Sequence, residues 1–395
     1  MFKKHGITKA IWLISLVSLL TDVASEMLYP VMPVYLKTVG YSVFLIGVLE
    51  GFAEAIAGFS KSYFGRWSDA SGKRLPFVRW GYLLSAVSKP MLAVTAQWWW
   101  VFLSRFLDRT GKGIRTAPRD AMLNAASNHN NKASVFGFHR MMDTTGAVLG
   151  PAIALLFLYL YPGSYQLLFI LAFIPGMLAV GVTVLLKEQN KAAAAKRIPP
   201  FHQTFTYWKK APASYEKLLV TLILFALINS SDVFLLLRIK EAGVSDTAVI
   251  GMYIFYNLVY AMAAFPLGKA ADRFGMKTIF LAGLVLYAAT YAGFAFAASH
   301  LHFVLLFLCY GLYAAATEGV AKAWISTLVP AGENASAIGF YTGLQSVAAL
   351  TASTLAGFIW MNAGSVYVFV PVAVAAILIA LWLQFSFRSP VESPR

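Results

Sequence analysis

Ionisable side chains recur inside stretches of the sequence that are otherwise apolar, and two of them form a closely spaced acidic pair. Asp22 and Glu26 lie four residues apart, so both carboxyl groups share one face if the segment is helical. No Lys or Arg lies between Lys9 and Lys37 to neutralise them. Carboxyl groups in a partly dry environment can bind and release protons. The pair therefore suits proton coupling.

Basic residues are concentrated in the stretch from 98 to 122. A charge at the centre of a bilayer costs about 3 kcal/mol or more and usually faces a partner or a wet cavity. Arg105 and Arg109 lie deepest in this stretch and are candidates for a functional role. Asp108 lies four residues before Lys112 and seven before Arg115, which predicts an ion-pair ladder along one helix.

Further polar residues lie at membrane depth in other apolar stretches. Helical spacing predicts salt bridges from Glu54 to Lys61 and from Glu318 to Lys322. The candidates for proton coupling are Asp22, Glu26, Arg105, Arg109 and Asp143. The candidates for the wall of a substrate cavity are Glu50, Glu54, His139, Arg140, Asn229, Asp232, Tyr256, Asn257 and Glu318.

The composition indicates a membrane protein. The 395-residue chain is 59% hydrophobic and only 12% charged, whereas soluble domains carry about 25% charged residues. A membrane-spanning helix needs about 20 apolar residues, so the length fits an all-α bundle of about a dozen spans. The predicted spans are 9–36, 43–64, 77–96, 98–122, 134–160, 165–186, 217–238, 246–267, 277–298, 302–329, 335–360 and 365–387.

Cysteine and histidine residues give no pattern of a metal or cofactor site. Cys309 is the single cysteine and lies within an apolar run. The six histidines are scattered along the chain. We therefore predict that the protein has neither a metal nor a cofactor and is not an enzyme. A membrane-embedded enzyme, which would need a nucleophile–base pair or a metal cluster, is the less favoured alternative.

The formal net charge of +15 follows the predicted spans. Lys and Arg occupy alternate connections, and the opposite connections contain few of them. Short loops rich in Lys and Arg stay in the cytoplasm. The pattern predicts cytoplasmic N- and C-termini in a bacterial inner membrane, and it favours a lipid bilayer rather than nucleic acid as the partner of these charges.

The two halves of the sequence resemble each other. The segment 65–74 returns at 268–277, and the segment 133–138 returns at 335–340, so the two offsets differ by a single residue. A parallel repeat of this kind places the solute site between the repeats, near the bilayer midplane. We predict a six-helix half at 1–187, a cytoplasmic linker at 188–216 and a second six-helix half at 217–395.

A loop motif in each half resembles one known family. Glycines permit a tight turn, and an aspartate can cap a neighbouring helix. The first copy is Gly65, Asp69, Gly72, Lys73 and Arg74, and the second is Gly268, Asp272, Gly275 and Lys277. This pattern resembles the loop motif of the major facilitator superfamily. The resemblance implies twelve transmembrane helices in two six-helix halves, with the loop helping to latch the halves on the cytoplasmic side.

A glycine-rich stretch is similar to the antiporter motif found in drug:proton exporters of that superfamily. Its residues are Gly137, Gly146, Gly150 and Pro151, and Ala154-Leu155 stands where the family motif ends in Gly-Gly. Gly146 and Gly150 form a smooth face for a close helix neighbour. Arg105 and Asp108 resemble the buried-arginine motif that the superfamily links to proton coupling.

These features predict a secondary active transporter that moves a small organic solute by alternating access. Proton-coupled efflux by a monomer is the favoured mode, and protons, the solute and lipid are the expected partners. An uptake symporter or facilitator for an organic metabolite, including an anionic one, is the alternative within transport. A receptor without transport activity is compatible with the sequence, but no residue pattern supports it.

Overall fold

A computed structural model describes residues 7–29, 31–41, 43–188, 207–208, 210–244 and 246–387. In these ranges the regular structure is helical, with short 3-10 turns at His129–Asn131 and Ala331–Glu333. The α-helices in chain order are α1 Lys9–Glu26, α2 Met32–Thr38, α3 Val43–Ser71, α4 Leu75–Val94, α5 Trp98–Ala126, α6 Lys132–Leu160, α7 Tyr165–Val184, α8 Ala213–Ala226, α9 Val233–Glu241, α10 Asp246–Phe274, α11 Met276–Phe296, α12 His300–Leu328, α13 Asn334–Ala363 and α14 Val366–Ser386.

The first span of each half is divided into two helices, whereas the sequence predicted one continuous helix. Helix α1 ends at Glu26 before α2 begins, and α8 ends at Ala226 before α9 begins. The second break contains the polar run 229–232, whose side chains compete for backbone hydrogen bonds. Both breaks lie at equivalent places in the two halves, as expected for a duplicated bundle.

Six of the described helices are long and apolar enough to cross a membrane by length and composition alone. Helix α5 is not among them, because charged residues interrupt it. The six spans are Lys132–Leu160, Tyr165–Val184, Met276–Phe296, His300–Leu328, Ala331–Ala363 and Val366–Ser386.

Glycines bring the two halves into close contact at one end of the bundle, which we call the motif end. A Cβ added to Gly65 of α3 would lie 2.4 Å from the Ala335 carbonyl oxygen of α13. A Cβ added to Gly268 of α10 would lie 2.4 Å from the Ala133 carbonyl oxygen of α6. The two crossings correspond in the repeat, and both leave no room for a side chain.

Glycines also press α6 against α1 within the first half. A Cβ added to Gly146 would lie 2.6 Å from the Leu19 carbonyl oxygen, and one added to Gly150 would lie 2.8 Å from the Val23 carbonyl oxygen. The same two positions would contact the Cβ atoms of Asp22 and Glu26, each at 2.9 Å. The glycine-rich stretch therefore sets the position of the acidic pair, and α6 continues through Pro151.

We expect Gly146→Leu to destabilise the protein, because the new side chain must displace the α1 backbone. Overpacking of this kind costs about 1–3 kcal/mol. Gly181→Leu on α7 is the matched control, since a Cβ there meets no atom of the described residues within 4 Å. Thermal unfolding in detergent should show a lower midpoint for Gly146→Leu alone. Equal midpoints for the two variants would contradict the close α1–α6 contact.

Candidate functional site

A cavity of about 380 Å³ lies between the two halves, lined from one side by α1, α3, α5 and α6 and from the other by α10, α12 and α13. Small-molecule sites typically measure roughly 300–1,000 Å³. Charged side chains and tyrosines dominate the wall. Of the predicted residues, those that line this cavity are Asp22, Glu26, Arg140, Asp143, Asp232, Tyr256, Asn257 and Glu318. The side chains of Glu50 and Glu54 lie outside the described residues.

One ion-pair network joins the halves through α5 and α12. Arg119 donates to the Asp120 carboxylate at 2.9 and 3.0 Å. Lys322 of α12 donates to the other oxygen of Asp120 at 2.7 Å. Asp120 is fully buried, with 0% exposure. Burial makes each pair costly to break, because the remaining charge would have no compensation.

A second network joins the halves through Arg140 of α6. Arg140 donates to Asp143 at 2.6 Å within its own helix. It also contacts the Glu318 carboxylate of α12 and the Tyr260 hydroxyl of α10. The predicted salt bridge between Glu318 and Lys322 is wrong, because each of these residues pairs across the interface instead. Helical spacing detects neighbours on one helix and cannot detect a better partner on another.

The Asp22 carboxyl group faces that of Asp143, within hydrogen-bonding reach. The Ser18 hydroxyl donates to Asp143 at 2.6 Å and accepts from Arg119 at 3.0 Å. Asp22 therefore reaches the Arg140 network through Asp143, and the Arg119 network through Asp143 and Ser18. Its contact with a carboxyl group on a different helix was absent from the sequence prediction, which paired it with Glu26.

Glu26 lies beside a smaller cavity of about 30 Å³ between α1 and α5, which adjoins the central one. Lys112 and Arg109 are the cations whose charges act most strongly on it. Arg105 and Arg109 are buried, at 8% and 7% exposure, and line this smaller cavity. The two predicted arginines therefore lie inside the first half rather than in the central cavity.

The predicted ion-pair ladder along α5 is wrong. Asp108 accepts from Lys89 of α4 at 3.3 Å and from the Ser85 hydroxyl of the same helix. Lys112 and Arg115 face the central cavity instead. Asp108 therefore pairs with a lysine of the neighbouring helix rather than with Lys112 or Arg115, while Arg109 and Arg105 of its own helix act on it by charge.

The second half contributes a carboxyl group among tyrosines. The Tyr310 hydroxyl donates to Asp232 at 2.7 Å. Asn229 donates to the Tyr313 hydroxyl at 3.0 Å, and the Tyr287 hydroxyl donates to the Ile228 carbonyl at 3.1 Å. Tyrosine hydroxyls therefore bind the Asp232 carboxylate, the Asn229 amide nitrogen and the Ile228 carbonyl at the break between α8 and α9. Asn229 belongs to this cluster and not to the cavity wall.

His139 of α6 is buried within the protein and does not line the central cavity. Its side chain is buried, at 4% exposure. Neither ring nitrogen has a hydrogen-bond partner among the described residues. His139 is not among the residues that line the central cavity, so its predicted role in the cavity wall has no support from its position.

The two aspartates of the loop motifs cap helices of the opposite half. Asp69 accepts from the Ser336 backbone N–H of α13 at 2.7 Å. Asp272 accepts from the backbone N–H groups of Ala133 and Ser134 of α6 at 2.8 and 2.7 Å. An anion is favourable at a helix N-terminus, where the N–H groups lack partners. Each cap therefore ties one half to the other.

The remaining motif residues shape the same end. Gly72 and Gly275 have φ angles of +67° and +93°, which favour glycine. Arg74 contacts Asp69 at 3.4 Å and donates to the Ala331 carbonyl oxygen at 3.1 Å. Lys277 donates to the Gln384 carbonyl oxygen at 2.9 Å within the second half, and Lys73 is exposed.

Several cavity residues were missing from the predicted site. Lys112, Arg115, Thr116 and Arg119 follow one another on α5 at steps of three, one and three residues, and all line the cavity. These steps keep the residues on one helix face. That periodicity was the available signal, although it also predicts an ion-pair ladder along the helix.

Comparison with known proteins places the chain among membrane transporters. The family model of the Major Facilitator Superfamily matches residues 14–256 and 218–395. An MFS-type transporter of Methanocaldococcus jannaschii is 31% identical over 363 residues, covering 90% of this chain and 89% of that one. The quinolone resistance protein NorA of Staphylococcus aureus is 27% identical over 183 residues, or 46% of each chain. The tetracenomycin C resistance and export protein of Streptomyces glaucescens is 29% identical over 137 residues, covering 34% and 26%.

Solved structures of transporters share the fold. The human organic anion transporter MFSD10 superposes with a TM-score of 0.80 at 15% identity, covering 95% of this chain and 99% of that one. The fucose:proton symporter FucP of E. coli superposes with a TM-score of 0.78 at 12% identity, covering 96% and 98%. The predicted fold of twelve transmembrane helices in two halves is thereby confirmed. The chain belongs to the major facilitator superfamily of membrane transporters.

Proposed function

We propose that the protein exports a small organic solute in exchange for protons, by alternating access of the central cavity. The contact between Asp22 and Asp143 is the observation that carries this proposal. Two carboxyl groups in contact cannot both be charged at low cost, so they suit a shared, exchangeable proton. Protein-mediated proton exchange at this depth requires such a group.

The coupling route leads from this carboxyl pair to the interface between the halves. Asp143 accepts from Arg140, which also contacts Glu318 of the second half. A change in the charge of the carboxyl pair alters the balance of this inter-half ion pair. Protonation at Asp22 can thus favour one arrangement of the halves over the other, which is the requirement for coupling.

Efflux is favoured over uptake by two relatives and by one motif. The relatives named for quinolone resistance and for tetracenomycin C export match parts of this chain. Gly146 and Gly150, from the stretch that resembles the antiporter motif, hold α6 directly against Asp22 and Glu26. Proton symport remains the second candidate, since the fucose:proton symporter has the same fold.

Proton movement in proteoliposomes tests the proposal. Liposomes that contain the purified protein and a trapped pH indicator are exposed to inward or outward gradients of a quinolone, of tetracenomycin C and of organic acids. An antiporter moves protons opposite to the solute, and a symporter moves them with it. Solute flux without any proton movement would exclude coupling.

We further propose that both termini and the linker at 188–216 face the cytoplasm, and that the halves at 1–187 and 217–395 work as a monomer in a bacterial inner membrane. Residues 189–206 of the linker lie outside the described residues. In a Cys309→Ala background, an impermeant thiol reagent added to intact cells should label Asn362→Cys and leave Ala195→Cys unlabelled. Labelling of Ala195→Cys alone would reverse the topology.

A further inference from the structure

One cation in the central cavity has no counter-charge in the part of the chain that the structure describes. Arg115 of α5 is buried, with 4% exposure. Its Nε and Nη1 atoms are buried and have no hydrogen-bond partner among the described residues. Its guanidinium carbon lies 4.7 Å from the centroid of the Tyr82 ring, and the like charge of buried Lys89 on α4 acts on it. Every other arginine of the cavity wall, Arg119 and Arg140, has a carboxylate partner.

A glycine on α4 allows Arg115 to lie close to that helix. A Cβ added to Gly81 would lie 2.7 Å from the Arg115 Cβ atom, so the absence of a side chain at Gly81 lets α5 approach. The ring of Tyr82 then lies against the guanidinium, and its hydroxyl is buried with no hydrogen-bond partner in the part of the chain that the structure describes. A buried cation without a counter-charge lowers stability. A loss of stability of this kind is typical of residues that serve function, such as ligand binding, rather than stability.

The surroundings of Arg115 fit an organic anion. Lys112, three residues earlier on the same helix, also faces the cavity and is exposed. Tyr253 and Tyr256 of α10 line the wall contributed by the second half, and offer ring surface to an apolar or aromatic body. The planar guanidinium matches a carboxylate or a phosphate group, to which it can donate two hydrogen bonds.

We propose that Arg115, assisted by Lys112, binds the carboxylate or phosphate group of an organic anion that is the transported solute. The inference rests on the proposed function only in taking the central cavity as the solute site. It adds that the solute is anionic and that residues of the first half bind its anionic group. Asp22 and Asp143 stay available for protons because the solute charge is met by Arg115.

Equilibrium binding to the purified protein in neutral detergent tests this inference without a gradient. The probes are naphthoate, naphthyl phosphate and the neutral naphthamide, titrated by calorimetry. We expect at least one anion to bind the wild-type protein about ten- to a hundredfold more tightly than naphthamide, which is the usual effect of a charge-assisted hydrogen bond. Comparing the affinities of naphthyl phosphate and naphthoate shows whether the site prefers a phosphate or a carboxylate group.

The variants Arg115→Gln and Arg115→Lys identify the residue. Arg115→Gln should bind the anions and naphthamide equally, and Arg115→Lys should show an intermediate preference. Arg273→Gln is the matched control, because Arg273 is exposed at the end of α10 and should leave the preference unchanged. Without ligand, Arg115→Gln should unfold at the same temperature as the wild type or higher, since it removes an uncompensated charge.

Three results would overturn the inference: neither anion binds the wild type, naphthamide binds as tightly as the anions, or the preference survives in Arg115→Gln. Failure of the proposed transport function is a separate result. In that case anion binding depends on Arg115, but no proton movement accompanies solute flux in proteoliposomes.

Discussion

Asp22→Asn should reduce solute-driven proton movement to the level of liposomes without protein, while solute binding and energy-independent exchange persist. The substitution keeps the size of the side chain and removes its exchangeable proton. Asp22 is the group expected to exchange because its carboxyl group contacts that of Asp143. Proton movement is measured with a trapped pH indicator at matched protein amounts, and exchange is measured as counterflow of labelled solute.

Glu26→Gln is the matched control, one helical turn away on the same face. Lys112 and Arg109 are the strongest charges that act on Glu26, ahead of the carboxylates of Asp143 and Asp108, and it is Asp22 rather than Glu26 that shares a hydrogen bond with Asp143. We expect this variant to retain proton movement. Normal proton movement in Asp22→Asn would show that Asp22 is not the exchanging group and that the acidic pair is structural. Loss of expression in both variants would support the same conclusion.

Removing both helix caps at the motif end should open that end of the bundle. In Asp69→Ala with Asp272→Ala, the backbone N–H groups of Ser336, Ala133 and Ser134 lose their acceptors. A buried N–H group without a partner costs about 1–3 kcal/mol. Transporter conformations separated by a few kcal/mol change population under such a cost. We therefore expect the double variant to favour a state in which the halves separate at the motif end, and to transport more slowly.

Spin labels measure this opening directly. Asn130 and Phe274 are exposed and lie at the motif end in opposite halves. In a Cys309→Ala background, the distance between labels at these positions should lengthen in the double alanine variant. Asp69→Asn with Asp272→Asn is the control, because asparagine keeps an oxygen that can accept from the same N–H groups. An unchanged distance distribution in the alanine variant would show that the caps do not hold the halves together.

The structure also explains why two distant glycine motifs occur together with the acidic residues. Gly65 and Gly268 allow the crossings at which the two caps reach the opposite half. Gly146 and Gly150 allow α1 to approach α6, so that Asp22 meets Asp143. Close backbone contact therefore serves two purposes in this bundle. It positions the carboxyl pair in the cavity, and it closes the motif end.

The sequence by itself determined the class of protein, the fold and the internal repeat. Composition and hydropathy suffice for the class of protein, because a bilayer demands long apolar helices in which the backbone satisfies its own hydrogen bonds. The fold was implied by the resemblance of the loop motifs to the major facilitator superfamily. The offset between the segments 65–74 and 268–277 was enough to define two related halves. The motif residues around Asp69 were found in the same way, because turns require glycine at fixed places.

Only the tertiary structure decided which charges are partners. Asp120 pairs with Lys322, which is 202 residues later in the chain, and Asp143 accepts from Ser18, which is 125 residues earlier. Helical periodicity relates residues within about two turns of one helix, so it paired Asp108 with Lys112 and Glu318 with Lys322. In the folded bundle a charge pairs with the nearest opposite charge on any helix. Arg115 remains without such a partner among the described residues, and that property is visible only once the helices are packed.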